Sequence, residues 1–406
     1  MNVNVVSVVS LMLIGGSTIA QQPAAEAAKH ELVMDSVART SSLAQDSPSG
    51  WKNGKFTLTD GGPNSMNIGG VLQFRYNGNF RENQPDGNEY TGGFQTQRAR
   101  LKLDGTVWDK ALSYNVMMEM ASSSGAFLLD AEGRYTFENK AYVRFGQYKP
   151  LFNREELISD QFQLDIERSV TNSVFTMARS QGIGAGWQNE AFRLGADITD
   201  GSNQLNSPWS GGTEADFAVT GRADWMIAGK DWKRFSDFTS WRGSEFAAML
   251  GGAFDYETYG DTGGGATSRD LVKATADLSL EGNGWNAFAA ILWQQSDPDS
   301  SPTAEAIGAV AQGGVFVADQ VELYARYDGV FPNEVAGPDN FNTGTVGINY
   351  FVTPQSHAFR LSADFIYYFD PESECAIIPA PSTTLNLLQD DEGDQIAFRL
   401  QAQVIY

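Results

Sequence analysis

Apolar and polar residues alternate along most of this chain, from Met66 to its last residue. In the segment 94–108, FQTQRARLKLDGTVW, every second residue from Ala99 to Val107 is apolar or glycine, and the residues between them are polar or charged. Successive side chains of a β-strand point to opposite faces, so this pattern predicts a strand with one apolar and one charged surface. Residues 66–80 alternate in the same way, and no helical periodicity of comparable length occurs.

The alternation predicts about sixteen strands, an even number that suits a closed antiparallel barrel in an outer membrane. The predicted strands are residues 66–80, 94–108, 112–120, 126–137, 141–148, 181–187, 192–198, 217–225, 245–259, 269–280, 285–293, 308–317, 320–327, 341–352, 360–368 and 396–406. Short turns alternate with long polar loops, which are predicted at residues 81–93, 149–180, 200–215, 295–306, 328–340 and 370–394. Two connections break this rule: residues 121–125 are shorter, and residues 226–244 longer, than their positions require.

A soluble β-sandwich or propeller would also alternate apolar and polar faces, and this alternative stays open. Three features favour the membrane barrel. Many predicted strands are longer than the about five to six residues usual in soluble sheets. Aromatic residues such as Trp108, Trp187 and Trp285 lie near strand ends, where the membrane interface requires them. The chain ends on a strand whose apolar face includes the last residue, Tyr406.

The first twenty residues have the pattern of a signal peptide. An apolar run at residues 5–14 is too short to cross a membrane, and Thr18-Ile19-Ala20 matches a small-x-small cleavage site. No Lys or Arg precedes the apolar run, so a buried strand is the alternative. We interpret residues 1–20 as a signal peptide, residues 21–50 as a periplasmic linker or short helix, and residues 51–406 as the barrel.

Composition narrows the range of functions. Lys and Arg total 28 and Asp and Glu total 50, and the net charge of −22 argues against binding to nucleic acid. With 42 glycines, 12% aromatic and only 19% charged residues, the chain is typical of a β-rich protein that faces lipid. Two histidines and one cysteine leave little material for a metal site, a catalytic triad or an internal disulfide. We therefore expect no enzyme activity, no metal and no cofactor, and we interpret Cys375 as an incidental free thiol.

Residues 94–187 resemble the phosphate-selective porin O and P family. The most characteristic stretch is VRFGQYKPLFNREELISD at residues 143–160, in which a Gly-Gln-aromatic-Lys-Pro run precedes Glu-Glu-Leu. IERS at residues 166–169 and RSQGIGAG at residues 179–186 also match, and residues 66–76 fit the first strand of the family. The resemblance implies a sixteen-stranded, homotrimeric outer-membrane porin whose third long loop, residues 149–180, folds into the lumen.

The chain departs from the family pattern in two ways. It ends on Tyr406, where such barrels usually end on Phe. Members selective for phosphate line their pores with many arginines and lysines, whereas this chain is strongly acidic.

In a porin, the charge and width of a water-filled lumen decide which solutes pass. Strand alternation places a group of basic side chains on the lumen face of the first five strands. These predicted pore-lining residues are Arg75, Arg98, Arg100, Lys102, Arg134 and Arg144. The loop 149–180 carries charged residues that would face them across the narrowest point. These are Lys149, Glu155, Glu156, Asp160, Asp165, Glu167 and Arg168.

Two interpretations of these charges stay open. A basic wall opposite an acidic loop would create a transverse electric field that favours polar solutes. Alternatively, the arginines pair with carboxylates and hold the loop in place, because buried charges need partners.

We therefore predict a porin for passive diffusion of small hydrophilic solutes and inorganic ions, embedded in outer-membrane lipid. One alternative keeps the fold and makes the pore selective for phosphate or other anions. A second alternative, of another class, is a non-conducting adhesin or envelope-anchoring barrel.

Overall fold

The computed structural model describes residues 49–52, 55–81, 87, 89–122, 125–260, 268–337, 339–371, 375, 377–378, 388 and 395–406. The predicted signal peptide and most of the predicted linker lie outside the described residues. Residues from Trp51 to Tyr406 form one compact unit.

Sixteen long strands form a closed antiparallel barrel, which confirms the predicted fold. Two short strands, β1 (Gly50–Lys52) and β2 (Lys55–Thr59), precede it. The barrel strands are β3 (Ser65–Phe80), β4 (Tyr90–Val107), β5 (Asp109–Glu119), β6 (Phe127–Thr136), β7 (Ala141–Tyr148), β8 (Ser180–Gln188), β9 (Phe192–Thr199), β10 (Phe217–Ala228), β11 (Ala247–Tyr259), β12 (Arg269–Gly282), β13 (Trp285–Pro298), β14 (Ala304–Ala318), β15 (Val321–Pro332), β16 (Phe341–Phe351), β17 (Phe359–Tyr368) and β18 (Ile396–Ile405). Each of these strands pairs with the next along the chain, and β18 pairs with β3, with Leu400 opposite Tyr76. That last pairing closes the sheet.

The two faces of the sheet differ as the alternation predicts. On β3, Leu72 and Phe74 are 42% and 45% exposed on the outer surface, whereas Gln73 and Arg75 are fully buried on the inner side. The outer surface carries many exposed apolar side chains. Examples are Phe94, Phe145, Ile183, Phe254, Ile291 and Val346. An apolar band around a closed barrel is the surface that hydrocarbon covers in a membrane.

Several strands extend further than the apolar pattern predicts. β13 runs to Pro298 and β14 begins at Ala304, so residues 299–303 connect them instead of the predicted 295–306. β15 likewise runs to Pro332. The sequence near the end of β13 is polar on both faces (QQSD at residues 294–297), because both faces of a strand can contact water beyond the lipid. Backbone pairing therefore continues where the alternation has stopped.

Two of the described connections pack against the inner face of the barrel. The lumen loop, residues 149–179, connects β7 to β8 and contains α1 (Arg154–Leu157) and α2 (Val170–Phe175). The inward turn, residues 229–246, connects β10 to β11 at the end of the barrel that carries the short turns, and it contains a short 3₁₀ helix. This segment is the long connection that broke the predicted rule. Within the described residues, no helix is long and apolar enough to cross a membrane.

The two segments meet within the lumen, where the backbone N–H of Phe238 donates to the carbonyl of Phe162 at 3.1 Å. The lumen loop also bonds to inward side chains of the later strands, for example to Asn349 of β16 and Arg360 of β17. Apolar side chains pack between the two segments and the wall. They include Phe152, Leu164, Phe175, Phe238, Phe288 and Tyr324. The lumen loop and the inward turn therefore fill the side of the lumen that these later strands enclose.

Candidate functional site

The lumen loop lies directly against the wall formed by β3 and β4. Arg75 Nη2 donates to a carboxylate oxygen of Glu167 at 2.8 Å, and Arg98 forms an ion pair with the same carboxylate. Arg98 also lies 3.2 Å from Asp160, which in addition contacts Arg100. None of the five side chains is more than 9% exposed. We call Arg75, Arg98, Arg100, Asp160 and Glu167 the buried charge cluster.

The charges of this cluster stabilise one another. Burial works to raise the pKa of Glu167, but the positive charges of Arg98 and Arg75 outweigh it and lower the pKa to about 2. The pKa of Asp160 also lies well below its usual range, because Arg100, Arg168 and Arg98 outweigh the effect of burial. Both carboxylates are therefore ionised at neutral pH, and each buried charge has a partner.

Other charges of the lumen loop are also paired and buried. Glu155 accepts from the backbone N–H and the hydroxyl of Ser169, both at 2.6 Å. Glu156 accepts from Lys149 at 2.9 Å and lies 3.3 Å from Arg168. Asp165 contacts Arg326 of β15 at 2.8 Å.

These contacts correct part of the predicted pore lining. Arg75, Arg98, Glu155, Asp165 and Glu167 are buried and lie outside the lining of the open cavity, because the lumen loop packs onto the wall instead of facing it across water. On this wall the charges form direct ion pairs that hold the loop, which is the second of the two interpretations of the sequence.

An open cavity of about 500 Å³ lies on the other side of the lumen loop. Its walls are inward residues of β4 to β10, the lumen loop and the start of the inward turn. Eight basic and four acidic residues line it. The basic residues are Arg100, Arg134, Arg144, Lys149, Arg154, Arg179, Arg193 and Arg222. The acidic residues are Asp130, Glu132, Asp160 and Asp224.

The structure brings five of the predicted site residues to this cavity: Arg100, Arg134, Arg144, Lys149 and Asp160. Lys102 lies apart from the cavity lining but is 40% exposed, with Asp104 at 3.5 Å. Arg168 and Glu156 remain within the lumen loop and do not line the cavity.

Two ion pairs along the cavity expose the cation clearly more than its partner. The side chain of Arg134 is 36% exposed, whereas that of its partner Glu132 is 15% exposed. The side chain of Arg193 is 34% exposed, and that of its partner Asp224 is 3% exposed. At these two pairs, water and solute in the cavity therefore contact the positive group more than the negative one.

Arg154 on α1 is a lining residue that the sequence did not single out. Its Nε donates to the hydroxyl of Ser279 at 2.7 Å, and its Nη2 donates to the carbonyl of Phe235 at 3.0 Å. No carboxylate of the described residues lies within 4.0 Å of it. Burial lowers the pKa of Arg154 to about 10, so the guanidinium stays charged at neutral pH. It is a buried cation that makes no direct ion pair with a described carboxylate, although the charges of Asp277 and Asp224 act on it from further away.

Arg193 and Arg154 differ in the signal that the sequence carries for them. Arg193 alternates with the outward Phe192 and Leu194 on β9, so the alternation could have identified it. Arg154 gave no such signal, because its position depends on the inward turn.

Among the described residues, no group of three or more His, Cys, Asp or Glu is placed to hold a metal ion.

Comparisons with known proteins agree with this architecture. The family model for phosphate-selective porin O and P matches residues 68–368. A sequence search against curated proteins found no significant match. The structure is similar to the anion-selective porin from Comamonas acidovorans, with 13% identity, a TM-score of 0.59, and coverage of 84% of this chain and 100% of that chain.

Two other solved structures share the fold. The outer membrane channel DcaP of Acinetobacter baumannii is 13% identical, with a TM-score of 0.58, and the match covers 88% of this chain and 100% of that chain. OmpT of Vibrio cholerae is 12% identical, with a TM-score of 0.55 and coverage of 86% and 99%. At these identities the likeness concerns the fold alone. The family model, however, covers most of the chain, so this protein belongs to the phosphate-selective porin O and P family and is an outer-membrane porin of a Gram-negative-type bacterium.

Proposed function

We propose that solutes diffuse through the cavity between the lumen loop and the wall of β4 to β10, and that this path prefers anions. The observation that carries the proposal is the excess of basic over acidic residues along the cavity, eight against four, in a chain whose net charge is −22. The surplus acidic residues of the chain therefore lie elsewhere, and the charge along the path differs in sign from the charge of the whole protein.

The excess of basic residues along the cavity has a direct consequence for the ions that pass through it. An ion that enters a narrow lumen loses part of its water shell and needs fixed groups that replace it. Exposed guanidinium groups such as those of Arg134 and Arg193 donate hydrogen bonds to an anion and repel a cation. Arg154 adds a charge that makes no direct ion pair with a described carboxylate, and a passing anion would supply a direct partner.

We further propose a homotrimer that has no enzyme activity. The Comamonas acidovorans porin is described as anion-selective, and OmpT of Vibrio cholerae has been solved in a trimer form, which supports anion preference and a homotrimer here. The exposed apolar band of the barrel would contact outer-membrane lipid. Membership of a porin family supports a channel without enzyme activity.

A non-selective pore is the second candidate. It is favoured by the carboxylates that lie within 4.0 Å of most of the basic lining residues, such as Asp130 beside Arg179 and Asp197 beside Arg144. In this case the opposite charges of each pair would cancel, and the path would discriminate little between anions and cations.

The reversal potential of purified protein in a planar bilayer, under a KCl gradient, tests the proposal. We expect a potential of the sign that chloride permeation produces. A potential near zero would support the non-selective pore, and a cation-selective potential would contradict the proposal. Folded protein that never conducts would instead support the adhesin or anchoring alternative.

A further inference from the structure

The cavity that we propose as the solute path carries apolar side chains that a purely aqueous pore does not require. Met117 of β5 and Tyr142 of β7 line its wall, and Leu151, Leu157 and Phe162 of the lumen loop line it as well. All five are half-buried, so part of each side chain is in contact with the lumen. We call them the apolar strip. Apolar surface in water is unfavourable, and a bound group that covers it gains free energy.

Basic groups border the apolar strip and are held in fixed orientations. The guanidinium of Arg134 lies 4.5 Å from the ring centre of Tyr142, and that of Arg144 lies 3.8 Å from the ring centre of Tyr148. On β9, Arg193 stacks on Trp232 of the inward turn at 4.9 Å. Stacking on an aromatic ring fixes the plane of a guanidinium and so orders the N–H groups along its edge.

Arg154 and Leu157 connect the basic and apolar sides of the cavity. They are three residues apart on α1, a spacing that places two side chains on the same face of a helix, and both line the cavity. One element therefore presents a cation that makes no direct ion pair with a described carboxylate next to an apolar group.

We infer that this cavity binds small organic anions in which a carboxylate is attached to a flat apolar body, in preference to phosphate or acetate. This inference rests on the proposed function. The carboxylate would accept hydrogen bonds from the arginines, and the apolar body would cover the strip. A volume of about 500 Å³ is within the range of small-molecule sites and exceeds what a single hydrated inorganic anion needs. Phosphate and acetate satisfy the basic groups but leave most of the apolar strip in water.

The first experiment compares three probes on the wild-type protein. Benzoate, acetate and inorganic phosphate are titrated separately into a planar bilayer that contains single channels in KCl, and the concentration that halves the conductance is measured. We expect benzoate to act at a concentration about tenfold lower than acetate or phosphate, or lower still, because only benzoate buries the apolar strip. Equal concentrations for the three anions would overturn the inference.

The second experiment removes the apolar strip while keeping the charges. The double variant Met117→Gln, Leu157→Gln should raise the half-blocking concentration of benzoate about tenfold and leave that of phosphate unchanged. Leu271→Gln is the matched control, since Leu271 is an inward, half-buried residue of β12 that lies outside the cavity lining. Benzoate block that survives unchanged in the double variant would contradict the inference. If that variant does not fold, the wild-type comparison of benzoate with acetate decides alone.

The two proposals fail in different ways. A cation-selective reversal potential would refute the proposed function and with it this inference. An anion-selective protein that is blocked equally by benzoate and acetate would refute only the preference for organic anions.

Discussion

The two sides of the lumen loop show that arginines in equivalent positions can have different roles. On the wall of β3 and β4, Arg75 and Arg98 point inward and are buried against Glu167 of the loop. On the wall of β6 and β9, Arg134 and Arg193 also point inward, but their side chains remain about a third exposed to the cavity. The alternation of the strands is the same on both walls. The path of the lumen loop decides which arginines hold the protein together and which contact solute.

The buried charge cluster and the cavity wall also differ in the placement of their carboxylates. In the buried charge cluster, Glu167 and Asp160 each contact at least two guanidinium groups, so the carboxylates are enclosed by cations. Along the cavity, the carboxylates Glu132 and Asp224 lie deeper than the cations that they accompany. The first arrangement favours rigidity and the second favours a positive surface.

The largest expected effect is on stability, through the buried charge cluster. Glu167→Gln leaves Arg75 and Arg98 with one buried negative partner fewer, and we expect the free energy of unfolding to fall by about 3–5 kcal/mol. Urea unfolding of the protein from lipid vesicles measures the change. Lys102→Gln on the same wall is the control, because Lys102 is 40% exposed and its pair with Asp104 should contribute no more than about 1 kcal/mol. Similar losses in the two variants would remove the distinction between buried and exposed pairs.

The next largest effect should appear in ion selectivity. Arg134→Gln combined with Arg193→Gln removes the two exposed cations of the cavity wall, and we expect the anion-to-cation permeability ratio to fall about threefold or more. Reversal potentials measure this ratio. Lys230→Gln is the control, because Lys230 is an exposed residue of the inward turn outside the cavity lining. An unchanged ratio in the double variant would show that solutes do not pass along this wall.

We expect a smaller effect of pH on the ion selectivity. Burial lowers the pKa of Lys149 to about 8, and the nearby charge of Arg168 acts in the same direction. Lys149 lines the cavity, so as pH rises from about 7 to 9 it loses its proton and the path loses one positive charge. The anion preference should therefore decrease over this interval.

Reversal potentials of the wild type and of Lys149→Arg test this assignment. An arginine stays charged throughout the interval, so the variant should keep its anion preference at pH 9. An equal decrease in the variant would assign the titration to another group.

The barrel itself could be predicted from sequence because strand alternation is a local signal. The predicted strand 141–148 coincides with β7, and the face of each residue on β3 and on β4 from Arg98 to Thr106 follows from its position in the alternation. A bulge between Thr96 and Arg98 shifts the alternation in the earlier part of β4. The ends of β13 and β15 could not be predicted from the sequence, because residues beyond the lipid lack the apolar face that marks a strand.

The candidate site was less predictable because it depends on long-range contacts. Arg98 and Arg134 both occupy lumen-facing positions, and no local feature shows that the lumen loop covers the first and leaves the second exposed. The inward turn has no regular periodicity, and the burial of Phe235 and Phe238 follows only from its place inside the barrel. The position of Arg154 depends on both segments together.

The central claim is that solutes pass along the cavity on the β5 side of the lumen loop and not along the wall of β3. Single cysteines at Met117, which lines the cavity, and at Gln73, which is fully buried on β3, test it in a Cys375→Ser background. A negatively charged, water-soluble thiol reagent is added while conductance through a planar bilayer is recorded. The account predicts that the reagent lowers the conductance of Met117→Cys and leaves that of Gln73→Cys unchanged, and the opposite result would contradict it.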